Sequence, residues 1–332
     1  MNPAWLLART LRDPASAEDL TPAEWTTLFA VARAEQLIGT LAMRVQGLAM
    51  PEDAARIVRN AIASAEQGRT AALWEAEMAR RVLPGMPVVL LKGTAFVAAG
   101  MSAGVGRSIG DLDILVPHDR IDEAEAALLG AGWEWVKPDP YDDDYYRRWM
   151  HELPPLIHRD RDRMIDVHHT ILPLTARITP DAAGLLADSI PLENGLRILS
   201  PNDILCHAAA HLFADGDLAG GMRNLWDVHC LTEEFGIEGL EARAAHHGLA
   251  GAMSRAIRLS QALYGPPPLA GTAGGWGDRL YLRRLTARDG WGRQTRKLTR
   301  FAFYLRSHWL RMPPTMLARH LWTKYRKGYR PA

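Results

Sequence analysis

The sequence predicts an α+β fold, a small mixed-sheet core flanked by N-terminal and C-terminal helical segments. Three observations carry this. Residues 1–82 are dominated by good helix formers. From Pro84-Gly85 the pattern changes to short apolar runs ended by glycine or alternating in polarity, as strands do. From Ser200 it turns helical again. The expected segments are therefore 1–82, 83–199 and 200–332.

In the first segment, Thr21, Pro22 and Glu24 form a capping signal before an apolar-periodic run. Pro51 opens a long alanine-rich helix in which Gly68 is the one weak point. In the second, MPVVLLKG reads as a buried strand, TAFVAAGM as one or two helical turns and SAGVGRSIG as a glycine-rich loop. DLDILVP is a strand with Asp111, Asp113 and Leu115 on one face. DRIDEAEAALLGAG is an amphipathic helix and WEWV a further strand. After the acidic, tyrosine-containing YDDDYYRRW, the runs ELPPLIH and RMIDVHHTIL predict two paired strands with a turn near 160–162. In the third, Ser200, Pro201 and Asp203 mark a helix start. Helices follow over DILCHAAAHLFA, GGMRNLWDVHCLTEEFG, IEGLEARAAHHGL and AGAMSRAIRLSQALYG, before a break at the prolines 266–268.

With 332 residues, 48% of them apolar and 23% charged, the chain is long enough to bury a large core. Two cysteines, Cys206 and Cys230, exclude a disulfide framework and fit a reducing, cytoplasmic setting. No apolar run reaches the ~18 residues of a membrane span, and the N-terminus lacks a signal-peptide pattern. The net charge of +1 hides an asymmetry. Residues 279–332 carry 15 Lys and Arg against one acid, Asp289, giving +14, and the rest of the chain carries −13. That basic tail is also rich in aromatic residues. It suits an anionic partner or a helical layer that neutralises the body. The apolar spacing in FAFYLRSHWL and MLARHLWTKY favours packed helices.

Asp111 and Asp113 stand two apart on a strand, so both carboxylates point to one side, about 6–7 Å apart. Like charges that close are costly unless a cation joins them. Hard oxygen ligands suit Mg²⁺ or Mn²⁺. Asp166, between apolar Ile165 and Val167, is the natural third carboxylate of a two-metal site. Of the cations nearby, Arg107 in the glycine-rich loop is the stronger candidate phosphate ligand and Lys92 the weaker.

A strand, a Lys-Gly-Thr turn, a short helix and then the Asp-x-Asp strand together resemble the nucleotidyltransferase fold of the DNA polymerase β superfamily. The matches are Gly93-Thr94, Asp111, Asp113 and Asp166. The chain is more closely similar, over about residues 20–265, to a bacterial family of uncharacterised nucleotidyltransferases. VVLLKGTAF, GRSIGDLDILV, the histidine in MHELPPLIH, IDVHH, LSPNDILCHAAAHLF and MRNLWDVHCL carry that likeness. Thr94 stands where the superfamily has serine, and residues 95–110 make a longer spacer than is usual there. The resemblance implies transfer of a nucleoside monophosphate from an NTP to an acceptor, with pyrophosphate leaving. Asp111, Asp113 and Asp166 would hold Mg²⁺ or Mn²⁺ and carry catalysis. Lys92, Gly93, Thr94, Arg107 and His168 would bind the nucleotide. A small molecule, peptide or protein is favoured over RNA as acceptor, because the tail holds no recognisable single-stranded-RNA module. The alternative is a non-catalytic nucleotide- or partner-binding protein on the same fold.

His168 shares a face with Asp166 and His169 points away. His151 is a second candidate near the site. His207 and His211 have the i, i+4 spacing of zinc ligands, but the glutamate of the metalloprotease motif is absent and Ala208 follows His207, so helix packing is the favoured role. A mixed site with Cys206, His229 and Cys230 is the lesser alternative. The chain has no P-loop or GxGxxG motif.

Overall fold

The structure, a computed structural model, describes residues 2–136, 140–266, 275–311 and, singly, 313, 317, 322 and 326. The N-terminal helices span Pro3–Arg12, Pro22–Ala34, Ile38–Val45 and Glu52–Val82. The capping signal forms as a reciprocal box. The Glu24 N–H donates to Thr21 Oγ1 at 3.3 Å, and the Thr21 N–H donates to the Glu24 carboxylate at 2.9 Å. Gly68 does not break the 31-residue helix.

The strands are β1 Val89–Leu90, β2 Leu112–Leu115, β3 Trp133–Trp135, β4 Leu156–His158, β5 Met164–His168, β6 Ile190–Pro191 and β7 Arg197–Ile198. They form a mixed sheet in the order β3-β4-β5-β2-β1-β7-β6. β4 and β5 pair antiparallel, with Leu156 opposite Ile165, as the two-run pattern predicts. The central β2–β5 pair is parallel, with Asp113 opposite Asp166 and Leu115 opposite His168. Helix Glu52–Val82 packs on β2 and helix Ile121–Gly130 on β3.

Three local differences from the sequence reading have physical causes. MPVVLLKG keeps only two strand residues, because the chain turns at Lys92, φ +48°, into helix Lys92–Ala98. The YDDDYYRRW stretch lies in helix Pro140–Trp149, where Arg147–Asp143 and Arg148–Asp144 pairs at i, i+4 support the turns. Strands β6 and β7 are two residues each, too short to show a period.

Ser200 caps helix Pro201–Ala210, which runs into a π-turn at His211–Asp215. Helices Gly221–Phe235, Leu240–His246, Ala250–Tyr264, Trp276–Leu285 and Lys297–Arg311 follow. The last two lie on the body. Tyr281 and Phe303 are buried edge-to-face, and Arg306 donates to the Phe213 carbonyl at 2.8 Å. Trp291 in the turn between these two helices and Phe301 and Trp309 on the last helix stay exposed, so only part of the aromatic content is packed among the described residues. The MLARHLWTKY stretch falls outside the described residues, apart from Leu317 and Trp322. No helix among the described residues is long and apolar enough to cross a membrane.

Candidate metal and nucleotide site

Asp113 lies in β2 between Leu112 and Ile114, so its carboxylate is carried into the interior by apolar neighbours. Parallel register sets Asp166 of β5 beside it, and Asp111 precedes β2 at the exposed end. One ligand oxygen from each of the three lies within 4.8 Å of the others. Burial, then the neighbouring Glu152 and Asp113 carboxylates, push the Asp166 carboxyl up to about 7. Its Oδ1 is buried without a hydrogen-bond partner among the described residues. Crowded, partly unsatisfied carboxylate oxygens of this kind fit a hard divalent cation.

Two nitrogen groups of the chain meet Asp113 instead. Lys92 Nζ lies 2.5 Å from Oδ1, and His168 Nε2 lies 3.0 Å from the same oxygen. Burial alone would raise the Asp113 carboxyl. The His168 and Lys92 contacts outweigh it and hold the group well below the usual carboxylate range. Lys92 is delivered by its left-handed backbone, a conformation uncommon for a residue with a side chain and concentrated at functional sites.

A cleft of about 580 Å³ opens beside these groups. Lys92, Gly93, Arg107, Asp111 and Asp113 line it, together with His207, His211, Arg223, Asp227, Arg288 and Gln294. Arg107 is ion-paired to Asp227 and lies over the Phe96 ring, 5.2 Å from its centroid. Gly93 makes room for it, since a Cβ there would come within 2.6 Å of Arg107 Nε. Two expected nucleotide ligands do not face the cleft. Thr94, on the inner side of helix Lys92–Ala98, is buried with its hydroxyl unpartnered among the described residues. His168 is 1% exposed and sits against Asp113. His169 points away, as alternation predicts, and its ring meets His118 at 4.6 Å.

His207 is buried, and burial pushes it well below the ordinary histidine value, so it is neutral. It and His211 line the cleft as well as packing. Neither joins a metal-ready group among the described residues. Cys206 and Cys230 join none either, and burial pushes both thiols up to about 12, where they are poor ligands.

The sequence reading missed four participants. Asp227 joins Arg107 to Arg223, which in turn donates to the Gln36 carbonyl and to Thr40 Oγ1. The i, i+4 spacing of Arg223 and Asp227 inside MRNLWDVHCL was the available signal. Glu152 faces His168 Nδ1 at 3.3 Å, and its signal was the His-Glu pair at 151–152. Arg288, from the basic tail, reaches the cleft edge through Glu35.

Adjacent strands of a mixed sheet that present three converging carboxylates, beside a cleft lined with guanidinium and ammonium groups, define a site suited to a metal-complexed polyanion. The chain belongs to the family described as uncharacterised nucleotidyltransferases, which matches residues 21–265. At that level it is a transferase. No curated protein matches the chain.

Proposed function

We propose that the cleft transfers a nucleoside monophosphate from an NTP to an acceptor hydroxyl, releasing pyrophosphate. The observation that carries this reading is the convergence of Asp111, Asp113 and Asp166 at a cleft bearing Arg107 and Lys92. Mg²⁺ or Mn²⁺ held by the three aspartates would neutralise phosphate charge and lower the pKa of the acceptor hydroxyl. Arg107, stiffened by Asp227 and Phe96, offers a guanidinium whose planar fork matches phosphate oxygens. Lys92 borders both Asp113 and the cleft, so its ammonium has a short path from carboxylate to triphosphate. His168, fixed behind Asp113, orients that carboxylate and does not reach the nucleotide. His207 and Phe96 give the cleft an uncharged wall.

The reading extends to a bacterial protein with a DNA polymerase β-like core at 83–199, the flanking segments 1–82 and 200–332 supplying cleft walls. A small molecule, peptide or protein is the favoured acceptor. One observation favours the non-catalytic alternative: the Lys92 ammonium already neutralises the Asp113 carboxylate at Oδ1. The deciding experiment incubates the protein with each labelled NTP, Mg²⁺ or Mn²⁺ and cell extract, and follows pyrophosphate release and labelled acceptor. Asp113→Asn is expected to retain the fold and lose roughly 10³-fold or more of turnover, a metal contribution of several kcal/mol. Equal turnover by a folded Asp113→Asn protein excludes the mechanism. NTP binding without turnover in the wild type supports the binding-only reading.

A further inference from the structure

Beside the aspartate cluster lies a second group of different chemistry. His151 and Glu152 run antiparallel to the end of β5. The His169 N–H donates to the His151 carbonyl at 2.9 Å, and Glu152 forms a bridge with His168. That register gathers His151, Glu152 and His168, with one ligand atom of each within 4.8 Å of the others. Both histidines are at least nine-tenths buried. The Nδ1 atoms of both have no hydrogen-bond partner among the described residues.

The distances fit a hydrogen-bonded cluster poorly. Glu152 Oε2 is 3.3 Å from His168 Nδ1 and 3.7 Å from His151 Nε2, longer than charge-assisted hydrogen bonds of about 2.7–2.9 Å. Two ligands at about 2.0–2.1 Å from a shared tetrahedral ion stand roughly 3.3–3.4 Å apart. A metal-bound histidine whose other nitrogen donates to a carboxylate is a common outer-shell arrangement, and Asp113 is placed to be that carboxylate.

We propose that His151, Glu152 and His168 form a second metal site, distinct from the aspartate cluster and suited to a zinc-class ion. Two imidazoles and one carboxylate select a borderline-soft ion, whereas three aspartates select a hard one. His168 links the two sites, so an ion on its Nδ1 strengthens the hold of Nε2 on Asp113. Such an ion is structural and organising.

The test needs no nucleotide. Metal-free protein is given Zn²⁺ in excess Mg²⁺ and desalted, and zinc per chain is measured by plasma mass spectrometry. Wild type and Asp111→Asn are each expected to retain one zinc. Glu152→Gln, close to the native side chain in size, and His151→Ala are expected to bind it roughly 100-fold more weakly or worse, since even outer-shell partners are worth 10–100-fold. Co²⁺ in place of zinc should give the intense visible absorption of a four-coordinate site, and circular dichroism checks that each variant is folded. No zinc on folded wild-type protein overturns the proposal. So does equal retention by Glu152→Gln and His151→Ala, or loss of zinc in Asp111→Asn. None of these outcomes touches the nucleotidyl-transfer reading, which is read from turnover.

Discussion

Gly93 and Arg107 behave as one unit. A methyl group at 93 meets the guanidinium stem, and Arg107 cannot move aside without leaving Asp227 and Phe96. Gly93→Ala should therefore act on nucleotide binding and on stability together, because the ~1 kcal/mol gain in helix propensity is smaller than the cost of loosening a buried ion pair. The expected result is an NTP KM, or a Kd by calorimetry, about tenfold weaker, with the melting temperature lowered by the loosened Arg107–Asp227 pair. The three aspartates were legible in the sequence because strand alternation and apolar flanks are local signals. Glu152 was not, since its place beside His168 depends on a bridge between segments sixteen positions apart. Arg223 and Asp227 carried a helical spacing, but what that pair holds, Arg107, comes from a loop more than a hundred residues earlier. Thr94 shows the opposite case, a motif-like position that lies on the buried side of its helix.

At the scale of elements, helix Pro201–Ala210 is anchored by its buried Asp203. That carboxylate accepts from Arg243 Nε at 2.5 Å, His247 Nε2 at 3.0 Å and Ser200 Oγ at 2.7 Å. The Asp181 N–H donates to His247 Nδ1, which fixes the tautomer that lets Nε2 donate. Burial alone would raise the Asp203 carboxyl, but the His247 and Arg243 contacts outweigh it and hold the group at about 2. The folded value lies below the unfolded one. The stabilisation is thus complete above about pH 4 and is lost as pH falls from about 4 to about 2, roughly 2 kcal/mol in all. Urea midpoints between pH 2 and 5 should show this slope, and Asp203→Asn should flatten it. The capping box at Thr21 and the Ser200 start were legible because caps are short-range. The β1 strand was legible from its apolar run, though not its two-residue length, and the Pro140–Trp149 helix was left unassigned because an acidic helix held by its own ion pairs lacks apolar periodicity.

Across the whole molecule, the basic C-terminal segment closes on the N-terminal helices. Arg288 Nε donates to Glu35 Oε1 at 2.6 Å, and its other nitrogens reach the Gly292 and Ala34 carbonyls. Gly292, at φ +75°, lets the turn approach Ala30, whose carbonyl oxygen would lie 2.6 Å from any Cβ at 292. Arg288→Ala strands a buried carboxylate and should destabilise the fold by about 3–5 kcal/mol in urea unfolding. Adding Glu35→Ala should recover part of that loss. The charge asymmetry was legible in composition alone. The particular contact was not, because 253 positions separate the partners.

The Lys92–Asp113 contact has a consequence for the order of events in the life of the chain. A cluster of acidic groups at the centre of a sheet would ordinarily oppose collapse until a divalent ion arrived, making folding hostage to metal supply. Here an ammonium from the chain itself fills that need at Asp113. The polypeptide can reach its native shape first and recruit its ion afterwards, in the company of the nucleotide. Chelation should then behave as a reversible off-switch. EDTA is expected to abolish nucleotidyl transfer, leave far-UV circular dichroism unchanged and shift the melting temperature by only a few degrees, and excess Mg²⁺, given with one equivalent of Zn²⁺ for the histidine site, should restore activity without a refolding lag. A cooperative loss of secondary structure on EDTA treatment would show that the lysine does not serve this purpose.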